Sequence, residues 1–175
     1  GTWPVEPQDA AARTAYVERI VRYLDKALRE AKLHTSWLNP YEEYDQAVAG
    51  FIRTILADPA SEFVEDLNYL VRSIADAGFV NGLAQTLVKI CAPGVPDFYQ
   101  GVEFWDFHLV DPDNRQPVDF QTRHSALREL QARAAKDLPG LARDLLAVWP
   151  DRRLKLLVIW RALNARQSHF AAFGG

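Results

Sequence analysis

Tyr99, Gln100, Glu103, Asp111, Asn114 and Arg115 fall close together in a stretch, residues 93 to 120, that carries more chemistry than a connector requires. That stretch also holds four prolines, two glycines and several further aromatic rings and carboxylates. Rings offer apolar faces on which a pyranose stacks, and carboxylates, amides and a guanidinium fork bond its hydroxyls, so the composition suits a surface that holds a sugar. It does not by itself make a bond-breaking site. Glu103, Asp106, Asp111 and Asp113 are spaced by three, five and two residues on an irregular loop, which fixes no distance between them. No neighbouring residue forces one of them to keep its proton, as an acid/base requires. Asp111-Pro112-Asp113-Asn114-Arg115 also reads as a turn, because Asx side chains bond their own backbone. Lys32 and Trp37 form a second candidate group, at the end of a long helix and its joint to the next. Lys32 there also complements a helix C-terminus, and Trp37 also suits an interhelical gap.

The elements that must position these groups are helical. Val17, Ile20, Val21, Leu24 and Leu28 follow the i, i+3, i+4, i+7 rule and predict a helix over 8–33, with Pro7 in its first turn. Its basic residues Arg13, Arg19, Arg22, Lys26 and Arg29 read as a solvated face. Asn39-Pro40-Tyr41-Glu42 reads as a cap, first-turn proline and capping-box acid for a second helix. Asp58-Pro59 starts a third, expected to end near Gly78, and Asn81 to Cys91 reads as a fourth. Val95 to Tyr99 reads as one buried strand between Gly94 and Gly101, followed by a loop over 101–117. Helices are expected again at 118–136, 140–148 and 153–168, separated by Pro139-Gly140 and Trp149-Pro150.

Composition narrows the function. Apolar residues are 49% and charged residues 25%, the proportions of a globular protein. Net charge is −3 with no basic stripe, which argues against nucleic acid. No apolar run reaches the roughly 18 residues that cross a bilayer, so no membrane partner is expected. Cys91, the single cysteine, permits no internal disulfide and reads as a small buried apolar residue; a cytoplasmic setting is the expectation. His34, His108, His124 and His169 share no metal-ligand spacing, and there is no Gly-rich phosphate loop, so neither metal nor cofactor is expected. Methionine is absent, and the closing Ala-Ala-Phe-Gly-Gly looks like a strand cut short. Both suggest an excised piece of a longer protein.

Pro93-Gly94-Val95-Pro96-Asp97-Phe98-Tyr99-Gln100-Gly101-Val102-Glu103 resembles the last strand and following loop of the catalytic barrel in the α-amylase family of glycoside hydrolases. Leu109 to Asp119, the run from Lys26 to Pro40, Thr2-Trp3-Pro4 and Asp151 to Lys155 resemble, in matching order, the maltooligosyl trehalose synthases of that family. The resemblance implies a mainly α fold: an insertion bundle over 1–80, the last barrel helix, strand and substrate-side loop over 81–120, and a truncated helical region over 121–175. It implies a parent enzyme that acts on a maltooligosaccharide and converts its reducing-end α-1,4 linkage to the α,α-1,1 linkage of trehalose, through a retaining pair of carboxyl groups about 5 Å apart. Those carboxylates belong to earlier barrel strands whose motifs are not found here, so the chain alone is expected to be inactive. Tyr99, Gln100, Glu103, Asp111, Asn114, Arg115, Lys32 and Trp37 are then sugar-side residues, and barrel surface left bare would favour self-association. The alternatives are a non-catalytic helical carbohydrate-binding or interaction module, or a piece of another transglycosylase of the α-amylase family.

Overall fold

The computed structural model describes residues 2–6 and 8–173. Among them the fold is helical: α1 (Ala10–Ala31), α2 (Glu42–Ala57), α3 (Glu62–Cys91), α4 (Phe120–Ala147), α5 (Arg152–Ser168) and the short α6 (Phe170–Phe173), with a 3-10 turn at Asp113–Arg115. The chain divides into two compact units. The first comprises Gly1–Ile74 and Phe107–Gln116, the second Ala75–Asp106 and Pro117–Gly175, so the division falls inside α3.

In the first unit α1 packs on α2. Asp9 caps α1, its Oδ1 accepting from the Ala12 N–H at 2.7 Å; the expected first-turn Pro7 lies outside the described residues. Tyr16, Val17 and Leu56 form the core, flanked by Trp3, Ile20 and Ile52. Trp3 meets Tyr16 edge-on at 5.3 Å and donates to Asn68 Oδ1 at 2.8 Å, which ties the Thr2-Trp3-Pro4 segment down on both an apolar and a polar contact. The joint from α1 to α2 differs from expectation. The N-cap of α2 is Tyr41 and not Asn39. Thr35, buried, takes the capping role in space: its hydroxyl accepts from the Tyr41 N–H at 3.0 Å and donates to Asp45 at 3.2 Å. A hydroxyl both donates and accepts, so this one side chain satisfies two groups at once.

In the second unit α4 packs on α5, around Leu130, Leu141, Leu145, Leu154, Leu156, Leu157 and Phe104. The break expected at Pro139-Gly140 is a kink within α4 at Asp137, which leaves helical angles (φ −155°, ψ 90°). The Asp137 carboxylate accepts from the Gly140 N–H at 2.9 Å and so restarts the helix. An added Cβ on Gly140 would meet that carboxylate at 2.1 Å, so the glycine leaves room for the cap. Phe79, Trp105 and Trp149 make an aromatic cluster with centroids 4.8–6.2 Å apart.

Four expectations are corrected. The third and fourth helices are one continuous α3, because Gly78 keeps helical angles and Phe79 beside it is buried; the roughly 1 kcal/mol cost of a helical glycine is small against burying a phenyl ring. Residues 95–99 have no regular structure, and no strand occurs among the described residues. A single strand has no ladder to join, and Val95 is 97% exposed. Cys91 is exposed, since the helix turns Ile90 inward instead. Residues 171–173 are helical and not the start of a strand.

Asp151 caps α5, accepting from the Arg153 N–H at 2.7 Å. Burial by itself would raise its pKa, but the Arg153 guanidinium at 2.6 Å and the capping N–H together hold the carboxyl below its usual value. A depressed folded-state pKa means that the stability is present above the unfolded value and is lost as pH falls through the folded one. Below about pH 4 the native chain is therefore expected to lose stability more steeply than Asp151→Asn, which keeps a capping oxygen but does not titrate. Urea midpoints across acid pH test this; parallel curves would contradict it.

Candidate functional site

The loop over 107–116 belongs to the first unit, and its buried charge is Asp113. Asp113 has only 4% of its side chain exposed. Arg19 of α1 donates to it at 2.8 Å, the Leu109 N–H donates at 2.6 Å, and the same Arg19 donates to the Phe107 carbonyl. A buried carboxylate is tolerable only with such partners. The anchor sets Asp111 beside Lys26 (3.5 Å) and in an ion pair with Arg115.

Next to it, α1, α2 and the 32–41 joint enclose a groove of about 880 Å³. Val21, Leu24, Leu28, Val48 and Ala49 supply apolar walls, and Asp111 and Pro112 reach its lining from the loop. Trp37 lies at this groove with 55% of its surface exposed. One ring face is covered by the Arg29 guanidinium, 5.0 Å from the centroid. Arg29 is itself fixed by Asp25 at 3.0 Å and by the mostly buried Asp45 at 3.3 Å. Arg19, Lys26 and Arg29 are thus not a plain solvated face: each is about three-quarters buried and each bonds a carboxylate. The missed signal was their i, i+7, i+10 spacing, which puts all three on one face of α1 and aims long stems across a neighbour rather than into water.

Of the residues singled out in the sequence, Asp111, Arg115 and Trp37 stand at or beside this groove. Asn114 belongs to the same 3-10 turn as Asp113. Lys32 is the C-cap of α1 in a left-handed conformation (φ 56°) and is exposed; it does not line the groove. Tyr99, Gln100 and Glu103 lie in the second unit, on a turn closed by the Val102 N–H to the Tyr99 carbonyl at 3.2 Å. Tyr99 is half exposed and Gln100 exposed. Glu103 accepts from Arg123 at 3.0 Å, and Arg123 also donates to the Gly101 carbonyl at 2.8 Å and lies over Phe104. Glu103 therefore closes the turn. Arg166 plays a matching part at the end of α3, donating to the carbonyls of Ile90 (2.5 Å), Ala92 (2.7 Å) and Gly94. Among the described residues no cluster of three or more His, Cys, Asp or Glu could hold a metal ion, and no helix is long and apolar enough to cross a membrane.

No family model matches the chain. A Mycobacterium tuberculosis protein, provisionally named maltooligosyl trehalose synthase, is 43% identical over 131 residues, which is 75% of this chain and 16% of that protein. A solved glycosyltrehalose synthase of strain DSM5389 superposes with a TM-score of 0.70 at 38% identity, over 87% of this chain and 19% of its own. The maltooligosyltrehalose synthase of Arthrobacter ramosus gives 0.71 at 32% identity, over 95% and 20%. By name all three are synthases of the trehalose type. More narrowly, this chain corresponds in sequence and fold to a segment of maltooligosyl trehalose synthase, and spans about a fifth or less of the length of such proteins.

Removing the loop anchor should free the loop. Asp113→Ala is expected to destabilise the first unit by about 2–3 kcal/mol, because it strips charge-assisted bonds from Arg19 and from the Leu109 N–H. Amide exchange over 107–116 should accelerate while the second-unit core around Leu130 stays protected. Unchanged exchange in that loop would contradict the assignment.

Proposed function

We propose that this chain is the helical, glucan-facing segment of an enzyme that rearranges a maltooligosaccharide, converting its reducing-end α-1,4 linkage into the α,α-1,1 linkage of trehalose. The observation that carries the reading is the 43% identity over three-quarters of the chain with a maltooligosyl trehalose synthase. The geometry is consistent with a holding role and not with bond breaking by this segment. Glu103, Asp111 and Asp113 are each bonded to a cation, Arg123, Lys26 with Arg115, and Arg19 respectively. Retaining chemistry instead needs two carboxyl groups facing one glycosidic bond about 5 Å apart. In this reading the nucleophile and the acid/base come from other parts of the enzyme, and the segment alone is inactive.

Tyr99, Gln100, Asp111, Asn114, Arg115, Lys32 and Trp37 are then the residues offered to sugar, with Glu103 acting through the turn it closes. Such a surface also has to keep water from the glycosyl intermediate, since hydrolysis competes with transfer. A cytoplasmic setting, with no cofactor, belongs to the same reading, as does self-association of the isolated chain through the exposed apolar side chains Leu87, Val88 and Val95 of the 81–105 stretch.

The test is a transplant. The corresponding segment of an intact maltooligosyl trehalose synthase is replaced by this chain, and folding is checked by circular dichroism. A folded chimera should consume the reducing ends of maltopentaose without releasing an equal amount of glucose. A folded chimera that leaves maltopentaose untouched, or only hydrolyses it, would overturn the reading.

A further inference from the structure

We infer that the groove between α1 and α2 is a binding site for a neutral α-glucan segment, with the open face of Trp37 as its stacking platform. The inference rests on the reading above for the class of sugar and deepens it by naming the place.

Three observations point there. The first is size and character: about 880 Å³, with apolar side chains from α1 and α2 interleaved with charged ones, falls in the range of small-ligand sites. The second is the platform. Trp37 stacks by one face on Arg29, which Asp25 and Asp45 both hold at one guanidinium nitrogen, while more than half of the residue remains exposed. An aromatic ring fixed by a braced cation on one face and open on the other is pre-organised, so little side-chain freedom is lost when a pyranose lands on it. The joint that carries the ring is equally fixed, through Thr35 to Asp45 and the Tyr41 N–H, and through the Ser36 hydroxyl, which accepts from the Asn39 N–H at 2.9 Å.

The third observation selects the ligand. The groove lining carries five acids (Glu18, Asp25, Glu42, Asp45, Asp111) and four bases (Arg22, Lys26, Arg29, Arg53). The signs nearly cancel, and several are already paired across the groove walls: Arg53 with Glu18 at 2.7 Å, Lys26 with Asp111 at 3.5 Å. A phosphorylated or otherwise charged ligand would meet as many like charges as opposite ones. A neutral polyol meets donors and acceptors in nearly equal supply, which is what its hydroxyls need. Lys26 and Gln46 bring donors to the lining, Asp25 and Asp111 acceptors.

The experiment titrates the intact chain with maltopentaose and reads the indole N–H resonances by two-dimensional NMR. The chain has five tryptophans, and three of them supply internal controls: the indole N–H groups of Trp3, Trp105 and Trp149 are bonded to Asn68, Pro150 and Asp76. The expected result is a saturating shift of the Trp37 signal with a millimolar dissociation constant, while those three stay within error. Trp37→Ala should weaken binding at least tenfold, and Trp37→Phe, which keeps a ring, should restore part of it. Cellobiose, a β-linked sugar, and glucose 6-phosphate should shift Trp37 less than maltose does. A Trp37 signal that does not move at 50 mM maltopentaose, or equal binding by Trp37→Ala, would overturn the inference. If the chimera above is active while Trp37 is silent, the groove assignment fails and the proposed function stands; a silent chimera with a saturating Trp37 shift gives the reverse.

Discussion

Asp113 carries a negative charge into a place where almost none of it meets solvent, and Arg19 is what makes that tolerable. The loop of the first unit is arranged around this pair. Without it, residues 107–116 would have neither a sheet nor a packed helix to hold them, since a 3-10 turn of three residues is their only regular structure. With it, one carboxylate gathers the Leu109 N–H and a guanidinium that also reaches the Phe107 carbonyl, and the loop lies along α1. Asp111 is then two residues from a fixed point, close enough for Lys26 to meet it. The loop contributes to the α1–α2 groove only because its buried end is fixed.

The second unit solves the same problem with arginines that collect carbonyls. Arg123 closes the 99–103 turn on Glu103 and Gly101, and Arg166 takes the carbonyls left over at the end of α3. A guanidinium has five donors in a rigid fork, so one side chain satisfies what would otherwise need several waters or a neighbouring strand. Residues 95–99, which join no sheet, are held in the same way: Lys89 donates to the Asp97 carbonyl at 2.7 Å. Lys155 shows the limit of that economy. Burial pulls its pKa down, and its ammonium finds one carbonyl, that of Phe104, at 3.1 Å.

Much of the fold was legible. The 3.6-residue periodicity of Val17 to Leu28 located α1, and the Pro139-Gly140 signal marked the kink in α4, because both depend on local chemistry. The mainly helical class followed from the same patterns. What failed depended on partners distant in sequence. Val95 to Tyr99 has a strand's composition, but a strand needs another strand, which no local pattern reports. Gly78 has a helix-stop residue's identity, but the burial of Phe79 carries the helix through it. Of the candidate groove, Asp111 and Trp37 were singled out in the sequence, while Tyr99, Gln100 and Glu103 belong to the second unit. The roles of Arg19, Arg29, Asp45 and Asp113 were not legible, since charge on an amphipathic helix reads as solvent-facing until its long-range carboxylates are known.

The central claim is that the chain offers a sugar-holding surface whose carboxylates are committed to cations, so that it holds glucan but does not rearrange it. The most direct measurement follows the anomeric protons of maltopentaose incubated with the purified chain. The account predicts that the reducing-end signals persist unchanged while the sugar is in fast exchange with the protein. Loss of those signals with the appearance of an α,α-1,1 anomeric resonance would contradict it.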